Sequence, residues 1–576
     1  MKVSEVIAQA LLRHGIRSMF SQSLPTALLL AAEDVGIRQL SYRTENAGAA
    51  MADGFARAGH RVTVVTAQNG PAAALLAPGL AEALKSSVPI VALVQDIDRP
   101  NTDRNAFQEL EHLGLFQACA KWVRRVTEPS RAADYVDMAF TAATSGRPGP
   151  AVLLLPADLL NQEAPGPSGR RTPLGAFPLD RPLADPSLIA EAARLIAEAK
   201  RPLVIAGGGI HLSGAAAELA ALQSSAHLPV TTTVMGKGAV DERHPLSIGV
   251  GGNNMGLMAP NGPLQSLLQE ADVIVLAGTR TAQLATNSWT LYPASARYIH
   301  IDIDPMEVGR NYEALRLVGD AKATLTQLGS LLAGRRRADP RVEQSIRAAR
   351  ERHAQQSGWL ARSSSRPIRP ERLMADLQTL LTPDTIVVGD ASFSTNWIAC
   401  HLTALAPGMR FLTPRGLAGI GWGLPLAIGA KLARPSSPVF AIVGDGGFAH
   451  VWSELETAKR LQVPVVLTVL NNGILGYQLI GENVKFGRHT SACYFEPVDH
   501  AQIARACGCR GIRIEDPADY LPALEEAAAS EVLTLLDVVT DPAAFPPLTM
   551  FDRLEQPVRP AQGVREGVGE GVSTRR

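Results

Sequence analysis

The sequence predicts an α/β protein made of three doubly wound parallel-sheet domains. Two patterns carry that expectation. Short apolar, β-branched runs alternate with Ala/Leu-rich helical stretches along the chain, and two Pro-, Gly- or Ser-rich stretches divide the alternation into three blocks. Strands covered on both faces of a parallel sheet read as continuous apolar runs. The 576 residues are too many for one core and suggest about three or four domains.

The first block, residues 1–165, opens on MKVSEVIAQALLRHGI, an amphipathic helix carrying Glu5 and unlike a signal peptide. Its strands are VTVVTA, PIVALV (89–94) and AVLLLP (151–156). Residues 162–186 are dense in Pro and Gly and read as a linker. The second block, 186–335, has strands PLVIAG (202–207), DVIVLAG (272–278) and RYIHIDI (297–303). It gives way to a charged helical stretch and a second linker, SSSRPIRP (363–370). The third block, 370–548, has strands TIVVGD (385–390), VFAIVGD (439–445) and VVLTVLNN (465–472). Residues 549–576 lack apolar periodicity and are expected to be a disordered tail.

Composition narrows the function. Lys plus Arg and Asp plus Glu number 55 each, so the formal charge is zero, which argues against nucleic-acid binding driven by charge. No apolar run approaches the ~18 residues of a membrane span. The five cysteines (Cys119, Cys400, Cys493, Cys507, Cys509) are odd in number and lack a zinc spacing, so they read as reduced thiols of a cytoplasmic protein.

The chemistry lies in GDGGFAHVWSELETAKRLQVPVVLTVLNNG, residues 444–473. Gly444, Asp445, Gly446 and Gly447 follow an apolar strand and lead into a helix, where glycines let backbone N–H groups approach a phosphate. The next strand delivers Asn471 and Asn472 to the same sheet edge. A carboxylate and an amide oxygen there are hard ligands suited to Mg²⁺ bound with a diphosphate.

This GDG-to-NN motif resembles that of the thiamine diphosphate-dependent enzymes, and within them the acetohydroxyacid (acetolactate) synthase-like group, over roughly residues 1–545. The resemblance implies a pyrimidine-binding, a central and a diphosphate-binding domain. It also implies Asp445 and Asn472 as side-chain ligands of Mg²⁺, with Ile474 giving a backbone carbonyl. In YRTENAGAAMADGFARAGH (42–60), Glu45 takes the place of the family's catalytic glutamate, whose carboxyl hydrogen-bonds N1′ of the pyrimidine. Read alone, Glu45 is a helix-start residue favoured by the dipole. In RGLAGIGWGLPLAIGAKLA (415–433), Ile420 matches the apolar wedge that bends the cofactor. The two halves of the cofactor bind domains of different subunits in this family, which implies a homodimer or homotetramer.

NAFQEL (105–110), CAKW (119–122, with Lys121 lining the substrate channel), HIDIDPMEVGRN (300–311) and VGDAK (318–322) also resemble the synthases. The departures concern the substrate. GPAAAL (70–75) replaces GPGATN, GVGGNNMG (249–256) and AGTRTAQLATN (277–287) replace the flavin-contacting segments, and only Arg280 survives. Leu284 falls where the second arginine would be, and Gly481 where the selectivity tryptophan would be. FAD is therefore expected to be absent. The polar candidates near the reacting carbon are Gln68, Asn69, Asp390, Ser392 and His450, the last foremost because imidazole titrates near neutrality.

The expected function is cleavage of the C1–C2 bond of a 2-oxo acid, with carboligation to an acceptor as an additional outcome. The alternatives are a benzoylformate decarboxylase-like 2-oxo acid decarboxylase, a 2-hydroxyacyl-CoA lyase, or a non-catalytic cofactor-binding homologue. Glu45 favours an enzyme, because binding alone needs no carboxyl at N1′.

Overall fold

The computed structural model describes residues 1–166, 172–335 and 338–554. They form three six-stranded sheets, in which every strand pairing is parallel.

The first sheet contains β1 (Ser18–Ser21), β2 (Arg38–Ser41), β3 (Thr63–Ala67), β4 (Ile90–Asp96), β5 (Trp122–Arg125) and β6 (Ala151–Pro156). The middle sheet contains β7 (Pro202–Ala206), β8 (Val230–Thr232), β9 (Ser247–Val250), β10 (Val273–Ala277), β11 (Arg297–Asp302) and β12 (Ala314–Val318). The third contains β13 (Ile386–Gly389), β14 (Arg410–Leu412), β15 (Val439–Gly444), β16 (Val466–Asn471), β17 (Arg510–Ile514) and β18 (Thr534–Val539). Strands β3, β6, β10 and β16 are buried at every residue, which is why they read as unbroken apolar runs.

The first and third sheets share one order, β2-β1-β3-β4-β6-β5 and β14-β13-β15-β16-β18-β17, although the sequence shows no repeat. The middle order, β12-β11-β10-β7-β8-β9, is the doubly wound arrangement of dinucleotide-binding sheets. The order reverses between β1 and β3, between β7 and β10 and between β13 and β15, and each outer sheet turns back once more at its far edge, β6-β5 and β18-β17. Open α/β sheets bind their ligands at such points, outside the carboxyl ends of the strands.

The outer domains meet through two helices rich in small residues, Glu45–Gly59 and Gly423–Ala433. A Cβ on Gly54 would overlap the carbonyl oxygen of Leu426, and one on Gly429 would overlap that of Met51. The backbones therefore touch, and Met51, Phe55, Leu424 and Ile428 join a single core that spans both domains. Arg57 crosses the same boundary, pairing with Asp53 at 2.6 Å and donating to the Thr413 carbonyl at 3.1 Å.

The described part of the 162–186 stretch is fastened to its neighbours. Leu174 is buried and donates its N–H to Nδ1 of His14 at 3.0 Å, and the Asp320 N–H reaches the Pro182 carbonyl at 2.7 Å. The first residues of the tail expected from 549 are packed instead. Thr549–Phe551 form a 3₁₀ turn and Phe551 is fully buried, because its ring packs on Phe393, Tyr477 and Phe545. Residues 555–576 lie outside the described residues. All five cysteines are free, and no helix among the described residues is long and apolar enough to cross a membrane.

Candidate active site

At the reversal point of the third sheet, Asp390 directly follows the end of β13 and Asp445 the end of β15. Asp390 is buried and accepts the backbone N–H groups of Ala391 (2.8 Å), Gly421 (2.9 Å) and Trp422 (3.0 Å). Burial lifts its carboxyl above the usual range against those donors. It thereby fixes the 420–422 turn, and with it Ile420, over the strand ends. Gly447 packs on this carboxylate so closely that a Cβ would overlap Oδ2 of Asp390. Ser392, at φ +66°, starts the Phe393–His401 helix.

Asp445 accepts the N–H groups of Gly446 (2.9 Å) and Gly473 (2.7 Å), so one carboxylate ties together the turns after β15 and β16. It makes no ion pair among the described residues, and burial raises its pKa. A buried carboxylate without a countercharge is costly unless a cation joins it.

The two asparagines separate in role. Asn471 donates to Asp537 Oδ1 (2.8 Å) and to the Val498 carbonyl (2.9 Å), away from the strand-end cavity. Asn472 keeps its amide beside the turn, its Oδ1 accepting the Ile474 N–H at 3.2 Å. A cavity at the strand ends is lined by Asp390, Ser392, Ile420, the 444–447 turn, Asn472 and Ile474. The structure thus brings together all the diphosphate-side and metal-side candidates. A carboxylate and an amide oxygen beside Gly446 and Gly447, neither of which has room for a Cβ, fit Mg²⁺ and a diphosphate.

Glu45 opens the helix after β2 and is buried, 7% exposed. Burial raises the pKa of its carboxyl, and no cationic group opposes that shift. Such a carboxyl keeps its proton to higher pH, as sharing one with a ring nitrogen requires. Glu45 does not line the cavity at Asp445.

The remaining candidates scatter. Gln68 and Asn69 lie at the end of β3, where Gln68 Nε2 donates to Gln108 Oε1 (2.6 Å) and Asn69 Nδ2 to the Gln108 carbonyl (3.2 Å). His450 is exposed, and its Cβ lies against Gly421, next to Ile420. Lys121 is placed elsewhere: its ammonium donates to the carbonyls of Ala142 (2.6 Å) and Ser145 (2.7 Å) at the end of the Ala132–Thr144 helix. That use is favoured by the helix dipole.

Family models match all three blocks: the N-terminal thiamine pyrophosphate-binding domain over residues 1–115, the central domain over 189–328 and the C-terminal thiamine pyrophosphate-binding domain over 390–538. The chain belongs to the thiamine pyrophosphate enzyme family. It is 34% identical to a probable acetolactate synthase large subunit of Methanocaldococcus jannaschii, across 97% of this chain and 96% of that protein. Similarity to the acetolactate synthase isozyme 2 large subunit of Escherichia coli is 30% identity, covering 94% and 96% of the two chains. A probable acetolactate synthase large subunit of Methanococcus aeolicus is 33% identical over 87% of this chain and 85% of its own.

A cavity of about 410 Å³ lies at the reversal point between β7 and β10. Its walls include Gly208, Gly278, Arg280, Leu284, Asp302 and Asp320. Burial pushes the Asp302 carboxyl up to about 6. Gly209 has no room for a Cβ, which would lie 2.6 Å from the Cα of Gly278. The N–H groups of Gly209 and Gly278 are taken by the carbonyls of Gly278 (2.9 Å) and Ile301 (2.8 Å), so the crevice is walled by glycine backbone and carboxylates. Leu284 contributes an apolar wall where the synthase pattern has an arginine. The signal in the sequence was the pair of strand-end glycine turns, 207–209 and 278.

Proposed function

We propose that this family member uses thiamine diphosphate and Mg²⁺ to cleave the C1–C2 bond of a 2-oxo acid and, in an acetolactate synthase-like reaction, passes the fragment to an acceptor. The observation that carries the reading is Glu45, a buried carboxyl with a raised pKa and no cationic partner at the first turn of its helix. When bound, the cofactor supplies the carbon nucleophile. In this reading Glu45 shares a proton with its pyrimidine, Asp445 and Asn472 hold the metal, and Asp390 holds the 420–422 turn so that Ile420 supports the bend. The cofactor lies between two copies of the chain, as a homodimer or homotetramer. The absence of Glu45 from the cavity at Asp445 supports that arrangement. The free thiols support a cytoplasmic location.

Leu284 favours a second reading, in which the fragment is released without ligation, as in a 2-oxo acid decarboxylase. A panel of 2-oxo acids with Mg²⁺ and thiamine diphosphate, with and without acceptor, separates the two. An acceptor-dependent product supports the ligase, an aldehyde with CO₂ supports the decarboxylase, and no turnover of any 2-oxo acid overturns both.

A further inference from the structure

All three domains and the 162–186 stretch meet around a smaller cavity of about 30 Å³, where a single water needs about 10–15 Å³. Its walls carry Arg57, His60, Phe177, His211, Met235 and Arg410 and, among the described residues, no carboxylate. It shares no wall with the strand-end cavity at Asp445.

Local structure explains why these groups converge. The Glu45–Gly59 helix brings Arg57 and His60 to its C-terminal end, where the dipole favours cations. Arg57 is balanced there by Asp53 at 2.6 Å. His60 follows the helix at φ +50°, and its ring lies against Phe177 with centroids 5.1 Å apart. His211, in the Gly209–Ser213 helix, gives a ring N–H to the Lys237 carbonyl at 2.9 Å. Arg410 begins β14.

The Arg410 guanidinium has no ion pair or hydrogen bond among the described residues, and neither ring nitrogen of His60 has a partner there. Lys237 and Arg369, by contrast, meet Glu242 at 2.7 Å and Glu371 at 2.6 Å. Burial lowers the Arg410 pKa to about 10, and the like charges of Arg434 and Arg57 push the same way with no anionic group opposing them. Burial, then Arg410 and three further cations, take His60 down to about 4. Near neutral pH that ring is uncharged and holds one N–H to donate. A guanidinium withdrawn from water among other cations is unfavourable until an anion joins it. Its planar fork matches the oxygens of a phosphate.

We propose that Arg410 and His60 bind a tetrahedral oxyanion at this three-domain junction, either inorganic phosphate or the phosphoryl end of a larger ligand. The larger ligand would have its body in the crevice of about 410 Å³, which shares Gly208, Leu212 and Met235 with this cavity.

Equilibrium dialysis of the full-length protein against radiolabelled inorganic phosphate tests the site. Saturating thiamine diphosphate and Mg²⁺ keep the strand-end site filled, and sodium chloride holds the ionic strength constant. Wild type should bind one phosphate per chain, and Arg410→Met should bind it about tenfold more weakly or worse. No saturable binding to wild type overturns the site, and so does equal affinity in the two proteins. Thermal unfolding adds a reading that a misfolded variant would not give. Without phosphate, Arg410→Met should melt above wild type, because it has lost a charge that nothing balances. Phosphate should raise the wild-type midpoint and leave the variant's unmoved. A variant that melts below wild type without phosphate, or that gains equally from it, overturns the proposal. AMP in place of phosphate separates the two sources. Binding tighter than phosphate and dependent on Arg410 assigns the oxyanion to a larger ligand. Binding no tighter, or indifferent to Arg410, assigns the free ion.

Discussion

The carboxylate of Glu454, in the third domain, accepts the backbone N–H of Thr44 at 3.1 Å, one residue before Glu45 in the first. It also accepts the Arg43 N–H at 3.2 Å and the Thr457 hydroxyl at 2.7 Å, and is itself fully buried. Thr44 caps its own helix through the Ala47 N–H at 3.4 Å. One domain thus finishes the helix start on which the other carries Glu45. Glu454→Ala removes the acceptor of two part-buried N–H groups, at up to about 1–3 kcal/mol for each group left unmet. Thermal unfolding should show a drop of several degrees; an unchanged midpoint would show that water replaces the carboxylate.

Asn471 and Asn472 should fail in opposite ways. Asn471→Ala breaks a buried bond to Asp537 and should lower stability by about 1–3 kcal/mol even without cofactor. Asn472→Ala should leave the apoprotein's midpoint nearly unchanged and weaken Mg²⁺-dependent cofactor binding. Scanning both variants with and without Mg²⁺ and thiamine diphosphate checks the contrast, and matched behaviour would refute it.

Asp445→Ala should be purified without thiamine diphosphate. It should also lack the rise in melting temperature that a ligand bound only by the native state confers. Normal cofactor content in this variant would remove Asp445 from the metal site.

Glu45→Gln keeps the shape but cannot share a proton with N1′. Exchange of the thiazolium C2 hydrogen for deuterium in the bound cofactor should slow by ~10²–10⁴, the scale of a positioned acid–base group. An unchanged rate with cofactor bound would leave Glu45 as a helix-start residue only.

The same substitution has a pH signature in the apoprotein. Burial raises the Glu45 pKa, so above the ordinary glutamate value of about 4.3 the folded state binds more protons than the unfolded one. Wild-type stability should therefore fall as pH rises through that window, and the Glu45→Gln variant should lack this component. Denaturant titrations should find the two equal at low pH and the variant more stable at neutral pH. The reverse order would contradict the burial argument.

The sheets were legible because strands covered on both faces admit little but Val, Ile, Leu and Ala. The strand-end turn was legible because Asp445 and its glycines follow such a strand directly. What stayed hidden depended on partners distant in sequence. Asn471 and Asn472 are chemically identical neighbours, and only the approach of Asp537 assigns the first to structure. Lys121 matched a channel segment, yet its ammonium closes a helix whose end is some twenty residues away. His112 carried no pattern at all, since its partners, the Gly70 N–H and the Asp96 carboxylate, lie at the ends of β3 and β4.

The backbone contact between Gly54 and Leu426 also bears on how the polypeptide is made. The Glu45–Gly59 helix leaves the ribosome long before the Gly423–Ala433 helix has been translated, so its small-residue face has no native cover during most of synthesis. Domains fold in the order in which they emerge, and uncovered apolar surface invites wrong association. A nascent chain halted after the central domain should therefore recruit holdase chaperones to its N-terminal third and release them once the 423–433 stretch has cleared the exit tunnel.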